Sequence, residues 1–167
     1  PEQPYISPRR DLDAWEKTPE RFPYGIVEKR QMQRLPEGIL PGHVVMLWRI
    51  HFGNFTNESV HPQYFEYRYG VDGAECIETL IRLGYAEKCG AKDSLSLLNV
   101  RALKAILWEN GLDATGKKAE LLNRIAGRIP VEKLEAAFPL RKYRITPEGQ
   151  SVLEKHGAII KRHGPKM

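Results

Sequence analysis

Apolar residues recur at helical spacing along most of the chain, and glycines, prolines and short polar stretches separate these segments. The segment 39–52 is apolar nearly all round, which predicts a buried helix that begins near Pro41. Short alternating segments predict strands instead, because successive side chains of a strand point to opposite faces. In chain order, the pattern predicts helices at 39–52, 61–69 and 72–83, a strand at 85–89, helices at 99–110 and 115–129, a strand at 140–146, and a helix from 147 to about 156.

The order of these elements predicts a mainly α fold with a small β-hairpin. Three helices followed by a strand, with a second strand and a helix near the end, resemble a winged-helix domain formed by residues 39–90 and 140–158. The segment between these two parts contains its own pair of helices. Because the tips of surface hairpins tolerate insertions, we interpret residues 91–130 as a separate helical module inserted into the wing.

The two ends of the chain differ from this helical middle. Residues 1–38 are rich in proline and charge, which predicts an extended N-terminal arm without long helices. Its aromatic residues favour anchoring on the body, with a disordered tail as the alternative; they are Tyr5, Trp15, Phe22 and Tyr24. Residues 159–167 predict a basic C-terminal tail.

The first helix inside the module has clear start and stop signals. Asn99 is a favoured N-cap residue, and Gly111 supplies the positive φ that ends the helix. Leu112 follows and is expected to insert the extended linker into the core. The predicted apolar face of the helix comprises Val100, Leu103, Ile106 and Leu107.

The second helix of the module has a start that suits an anion. We expect Thr115 to be its N-cap residue, with Gly116, Lys117 and Lys118 in the first turn. Free backbone N–H groups, the positive end of the helix dipole and two ammonium groups then meet at one point. Such a site suits a phosphate, and a solvated lysine-rich helix end is the alternative interpretation. The predicted apolar face comprises Ala119, Leu122, Ile125 and Ile129.

Together these residues resemble the SAP family of helix-extension-helix modules. The matching positions are Leu98, Asn99, Leu103, Leu107, Gly111, Leu112, Thr115, Gly116, Lys117, Lys118, Glu120, Leu121 and Arg124. The sequence departs from the family at Trp108 and Asn110, where charged residues are more usual. One expectation for Trp108 is that it packs on the host domain and fixes the orientation of the module.

The resemblance implies a non-catalytic protein that binds double-stranded DNA through its backbone, with a preference for A/T-rich tracts. Contacts of this kind position a protein on DNA without reading its sequence. Related modules also bind proteins, so the alternative is an adaptor within a larger phage or chromosome-associated assembly. The implied DNA-binding residues are Arg101, Lys104, Thr115, Gly116, Lys117, Lys118 and Arg124.

The charge distribution agrees with a polyanionic partner for the module. The chain has 26 basic and 21 acidic residues, a net charge of +5. Residues 99–128 contain six bases and three acids, and residues 141–167 seven bases and two acids, so the rest of the chain carries a net −3. The predicted third helix carries Glu75 and Glu78 against Arg82. We therefore expect the winged-helix half to be a scaffold or a surface for a protein partner.

Other classes of function find no support in the sequence. Cys76 and Cys89 lie in apolar or strand-like settings, which predicts buried free thiols. The histidines have no metal-ligand spacing, and no phosphate-binding glycine loop or nucleophile motif occurs, so we expect no enzyme activity, no cofactor and no metal. No apolar run could span a bilayer, and residues 1–21 lack the apolar region of a signal peptide. We therefore expect a cytoplasmic protein with no membrane partner and no small-molecule substrate.

Overall fold

The structure, a computed structural model, describes residues 2–8, 10, 12–18 and 26–164. Its α-helices are α1 (Leu12–Lys17), α2 (Pro41–His51), α3 (Tyr64–Tyr67), α4 (Gly73–Arg82), α5 (Ala91–Ser94), α6 (Val100–Glu109), α7 (Lys118–Arg128), α8 (Val131–Ala137), α9 (Pro147–Lys155) and α10 (Gly157–His163). The other described elements are two short 3₁₀ helices, Lys29–Met32 and Leu95–Leu97, and two strands, β1 (Ala86–Lys88) and β2 (Tyr143–Ile145). None of the described helices combines the length and the apolar character that spanning a bilayer requires.

The two strands pair with each other in a small antiparallel sheet. The Thr146 N–H donates a hydrogen bond to the Tyr85 carbonyl, and the Cys89 N–H donates one to the Lys142 carbonyl. The predicted fold class, mainly α with a small two-stranded sheet, is confirmed. The winged-helix arrangement of helices around this sheet stays a prediction.

The described residues divide into two compact units. The body unit comprises the described residues of 1–53, 60–87 and 145–167, and the module unit comprises residues 54–59 and 88–144. The module unit therefore contains the segment that the sequence suggests as an insertion, together with residues on both sides of it. Each unit is described separately below.

Helix α2 is the main core helix of the body unit and packs against α4, α9 and α10. It begins at Pro41, as predicted, because the first position of a helix needs no N–H donor. Its residues are buried from Pro41 to Leu47, which agrees with the apolar pattern of the sequence. The His43 Nδ1 atom accepts a hydrogen bond from the Leu40 N–H at 3.0 Å. His43 is the third residue of α2 and bonds back to the N–H of the N-cap residue, a role in which glutamate or glutamine is more usual.

Helix α4 has a side-chain cap, and the prediction of buried free cysteines is confirmed. The Asp72 carboxylate caps α4 by accepting a hydrogen bond from the Ala74 N–H at 3.2 Å. Cys76 and Cys89 are both buried free thiols. Burial raises the pKa of the Cys76 thiol well above its usual value, so this thiol stays protonated and unreactive.

The described part of the C-terminus is a helix and not a tail. Helix α10 includes residues 159–163, so the prediction of a basic tail at 159–167 is wrong there, and residues 165–167 lie outside the described residues. Ile159 and His163 are buried, and the Tyr69 hydroxyl is hydrogen-bonded to the His163 Nδ1 atom at 2.5 Å. The basic residues dominate the composition of this segment, but the buried positions beside them decide its structure.

The described N-terminal residues are anchored within the body unit. The Glu2 N–H donates to the Met32 carbonyl, and the Tyr5 N–H donates to the Gly70 carbonyl. The Arg34 guanidinium also binds both carboxylate oxygens of Glu2, each at 2.8 Å. Backbone bonds and an ion pair therefore hold residues 2–5. Of the aromatic anchors that the sequence suggests, Phe22, Tyr24 and the side chain of Trp15 lie outside the described residues.

The start of α9 lies directly against the chain that precedes β1. A Cβ atom on Gly149 would lie 1.9 Å from the Tyr85 carbonyl oxygen, and a backbone atom cannot move aside as the end of a side chain can. We expect Gly149→Ala to lower the free energy of unfolding by about 3 kcal/mol, measured by urea denaturation. The control is Gly157→Ala, where a new Cβ atom meets nothing within 4 Å and the change should stay within about 0.5 kcal/mol. Equal stability of the two variants would contradict this packing.

Candidate nucleic-acid interface

Helices α6 and α7 pack against each other and form the helical pair of the module unit. Four leucine and isoleucine side chains of this pair have no exposed surface: Leu103, Leu107, Leu121 and Ile125. The short helices α5 and α8 also pack against each other. The remaining buried members of this core are Ala91, Leu95, Ile106, Ile129 and Leu134. The core fixes the orientation of α6 and α7, and therefore the direction of the side chains on their outer faces.

The apolar faces predicted for the two helices are right in part. Val100 is 38% exposed, so the first helix buries one position fewer than the pattern suggests. On the second helix Ala119 is exposed and Leu122 is half-buried, whereas Leu121 is fully buried. Leu121 precedes Ile125 by four residues, so these two lie on one face. That face points into the core with Ile129, so the predicted face is right at Ile125 and Ile129 and wrong at Ala119.

The start and the end of α6 agree with the prediction. The Asn99 Oδ1 atom accepts a hydrogen bond from the Ala102 N–H at 2.8 Å, as expected of an N-cap. Gly111 follows the helix with a φ of +69°, a conformation that favours glycine. Leu112 is half-buried and packs against the core, which brings the linker back over the end of α6.

The start of α7 differs from the prediction. The helix begins at Lys118, and Lys117 is its N-cap residue. The Glu120 Oε1 atom accepts a hydrogen bond from the Lys117 N–H at 3.1 Å. Thr115 does not cap the helix, because its N–H and its hydroxyl both donate to the Asp113 Oδ1 atom, at 2.9 and 2.7 Å. An aspartate two residues earlier forms a local turn of its own and so occupies the threonine.

Two carboxylates therefore bind N–H groups that were expected to face a phosphate. Asp113 takes the N–H of Thr115, and Glu120 takes the N–H of Lys117. The hydrogen bonds from Thr115 lower the pKa of Asp113 below its usual value, so this carboxyl is charged at neutral pH. The N–H groups of the first turn of α7, from Lys118 onwards, have no acceptor within the helix. An anion at this corner would meet that first turn and the lysine side chains, and not an open threonine-glycine pocket.

Two of the predicted phosphate-binding side chains make hydrogen bonds inside the module unit. The Arg124 Nη1 atom donates to the carbonyl oxygens of Asp113 and Thr115, both at 2.8 Å. The Lys118 Nζ atom donates to the Ser96 carbonyl oxygen at 2.9 Å. Arg124 is half-buried and joins α7 to the linker, and Lys118 joins α7 to the segment before α6. Both side chains therefore contribute to the shape of the interface.

The other predicted cationic residues are exposed and close to the same linker. Arg101, Lys104 and Lys117 are all exposed, and no carboxylate among the described residues lies within 4.0 Å of their charged groups. Lys104 lines one groove together with Thr115, so the structure brings α6 and the linker together here. Gly116 follows with a φ of +120° and leads directly to the lysine pair. We call this region the cationic surface and define it as Arg101, Lys104, Lys117 and Lys118.

Trp108 lies beside the cationic surface and is 78% exposed. The expectation that it packs on the host domain stays a prediction. Trp108 follows Lys104 by four residues and Arg101 by seven, which places all three on one face of α6. The sequence departs from the family pattern at this tryptophan, and its spacing from the two bases is the signal that places it on the same face of α6.

Comparison with known protein families agrees with the predicted resemblance. The family model of the SAP domain matches residues 94–129, a segment that contains all of α6 and α7. No curated protein matches the sequence. A SAP domain indicates nucleic-acid binding in general. Residues 94–129 of this chain are therefore a SAP domain, and the α6–α7 pair with its linker is the structural core of that domain.

Proposed function

We propose that the protein binds double-stranded DNA through the phosphate backbone, with the cationic surface of its SAP domain as the contact region. In this proposal it works without catalysis, as a DNA-binding protein of the cytoplasm. The observation that carries the proposal is the exposure of Arg101, Lys104, Lys117 and Lys118 on a module whose family binds nucleic acids. The preference for A/T-rich tracts rests on the family resemblance.

The charges at this corner favour an anionic partner. Lysine and arginine side chains neutralise phosphates and release the counterions that surround DNA. The carboxylates of Asp113 and Glu120 lie at the same corner and oppose this effect. Each of them accepts a hydrogen bond from a backbone N–H, and neither forms an ion pair with a lysine among the described residues. Backbone contacts of this type carry little sequence information.

The test is a salt titration of duplex binding with the double variant Lys104→Gln, Lys117→Gln. Glutamine removes the charge and keeps a polar side chain that is one bond shorter than that of lysine. We expect the double variant to bind duplex DNA more than about tenfold more weakly at low salt, and the slope of log K against log salt to fall by about 2. Fluorescence anisotropy with A/T-rich and G/C-rich duplexes measures both quantities. Lys118 is left unchanged because its bond to Ser96 contributes to the fold.

The matched control is the double variant Lys92→Gln, Lys133→Gln. Both of these lysines are exposed in the module unit, and the change in net charge is the same. Affinity and salt slope close to those of the parent protein are expected for this control. If the two double variants weaken binding equally, net charge and not the cationic surface determines affinity, and the assignment of the site is wrong.

A protein partner for the body unit is the second candidate, and helix α4 favours it. Ile81 is 36% and Leu83 43% exposed at the end of this helix, beside the exposed carboxylates of Glu75 and Glu78. Acidic residues repel DNA, whereas apolar and acidic side chains together suit a protein surface. In this proposal the chain is an adaptor that brings a protein to DNA. Loss of the protein partner without loss of DNA binding in an Ile81→Asp variant would support it.

A further inference from the structure

The most exposed large aromatic side chain of the module unit belongs to Trp108. Tryptophan is usually well buried because it carries a large apolar surface. An indole that is 78% exposed therefore indicates a surface that can bind a partner molecule. With a rise of 1.5 Å per residue, Lys104 lies about 6 Å and Arg101 about 10 Å from Trp108 along the axis of α6. A flat apolar ring and two cations therefore share one helix face.

Shallow grooves lie on both sides of the Trp108 ring. One is lined by Val100, Arg101, Lys104 and Ala105, and the other by Lys104, Leu112, Asp113, Ala114 and Thr115. Lys104 and Trp108 line both grooves. A flat group stacked on the indole would therefore have the Lys104 ammonium beside it on either side. The Asp113 carboxylate in the second groove accepts two hydrogen bonds from Thr115.

The charge around the ring determines which partner fits. The partner needs a flat apolar face for the indole and negative charge for Arg101 and Lys104. A nucleobase joined to its phosphates meets both requirements, because every base has a face that can stack on an aromatic side chain. In an intact duplex these faces are covered by the neighbouring bases. The base that meets Trp108 must therefore be unpaired or next to a gap.

We propose that Trp108 stacks on an unpaired base, so that the SAP domain prefers duplex DNA that contains an unpaired nucleotide over fully paired duplex. This inference rests on the proposed function, because the cationic surface holds the neighbouring phosphates. Trp108 supplies the selectivity for the structure of the DNA, and the lysine and arginine side chains supply the general affinity. The selectivity does not depend on the sequence of the duplex.

The experiment compares a fully paired duplex with the same duplex carrying one extra 2-aminopurine nucleotide as a bulge. The ends of the two DNAs are identical, so binding at ends contributes equally. We expect the parent protein to bind the bulged DNA about tenfold more tightly and to quench the 2-aminopurine fluorescence, as stacking on an indole does. Trp108→Ala should lose both the preference and the quenching, so that it binds the bulged and the paired DNA about equally. Trp108→Phe keeps an aromatic face and should retain part of both effects.

The outcomes separate this inference from the proposed function. If Trp108→Ala binds both DNAs like the parent, or weakens both equally, stacking on an unpaired base is wrong while duplex binding stands. If the parent does not distinguish the two DNAs, the inference is also wrong. If the parent binds neither DNA, the proposed function fails and the inference fails with it. Because the ring is exposed, Trp108→Ala is expected to fold, and an unchanged circular dichroism spectrum of the variant verifies this.

Discussion

Lowering the pH from 7 to 5 is expected to destabilise the body unit by about 4 kcal/mol, because two buried histidines must stay neutral in the folded protein. These histidines are His43 in α2 and His163 in α10, which are 6% and 3% exposed. Burial lowers the pKa of each to about 4. The expected loss is about 2 kcal/mol for each histidine by pH 5.

The surroundings of His163 explain why its charged form is disfavoured. Burial is the main cause of its low pKa, and the positive charges of Arg68 and Arg49 add to it. The Nδ1 atom is hydrogen-bonded to the Tyr69 hydroxyl, whereas the buried Nε2 atom has no hydrogen-bond partner among the described residues. A second proton would therefore leave a buried cation with one N–H group that no described acceptor satisfies.

His43 is neutral for a different geometric reason. Burial again lowers its pKa most, and the charge of Arg34 contributes. The Nδ1 atom accepts the hydrogen bond from the Leu40 N–H, so it needs its lone pair. A proton on this atom would turn the acceptor into a donor and break the cap of α2.

The sign of the effect follows from the protons that each state binds. Between pH 6.5 and about 4 the unfolded chain protonates both histidines and the folded protein does not, so stability falls as the pH falls and levels off near pH 4. Glu37 affects the stability of the protein over a separate, lower range of pH. Burial raises the pKa of Glu37, but hydrogen bonds from His156 and Lys155 outweigh burial and bring it to about 2. Its contribution to stability is lost only below about pH 4.5.

Hydrogen exchange of the α2 amides between pH 7 and pH 5 measures the free energy of opening of this unit. The variant His163→Gln serves as the comparison, because glutamine does not titrate and can still bind the Tyr69 hydroxyl. We expect this variant to show about half the pH dependence of the parent, whatever its absolute stability. The same dependence in the variant and in the parent would exclude His163 as a source of acid sensitivity.

Replacing Leu121 with alanine is expected to lower the stability of the module unit by about 3 kcal/mol. Leu121 has no exposed surface and lies in the cluster that α6 and α7 share. The substitution removes three carbon atoms from the centre of this core and leaves a cavity that rigid neighbours fill only in part. Hydrogen exchange of the α6 amides measures the loss in this unit.

The control for this substitution is Val131→Ala in α8. Val131 is 49% exposed, so its side chain contributes little to the core, and a change within about 0.5 kcal/mol is expected. A loss for Leu121→Ala no larger than that for Val131→Ala would mean that α7 does not pack through Leu121. We also expect Leu121→Ala to bind DNA like the parent wherever the module unit remains folded, since the cationic surface lies on the outer faces.

The features that could be predicted from the sequence depend on strong local signals. Helix α2 is apolar on nearly every side and begins with proline, so both its burial and its first residue follow from the sequence. Asn99 and Gly111 bound α6 because each residue type has few competing uses at such positions. The SAP resemblance joins these signals into one pattern, and the match of the family model to residues 94–129 confirms it.

The predictions that failed involve competition between neighbouring groups. Thr115 is a good N-cap residue in isolation, but Asp113 binds its hydroxyl. The Glu120 side chain, in the first turn of α7, binds the Lys117 N–H instead. Because several side chains can accept the same N–H groups, the pattern alone does not decide which one does. The burial of α10 likewise depends on residues distant in sequence, such as Tyr69, which bonds to His163.

The bonds of Arg124 have a consequence for the rate at which the SAP domain would associate with DNA in the proposed complex. A single guanidinium nitrogen joins α7 to two carbonyl groups of the linker, so hydrogen bonds already hold the loop that leads to the lysine pair before any partner arrives. Association then requires no rearrangement of the loop, and little conformational entropy is lost on docking. In the proposed complex the encounter rate is therefore set by electrostatic attraction and ionic strength, and not by the time that the loop needs to order.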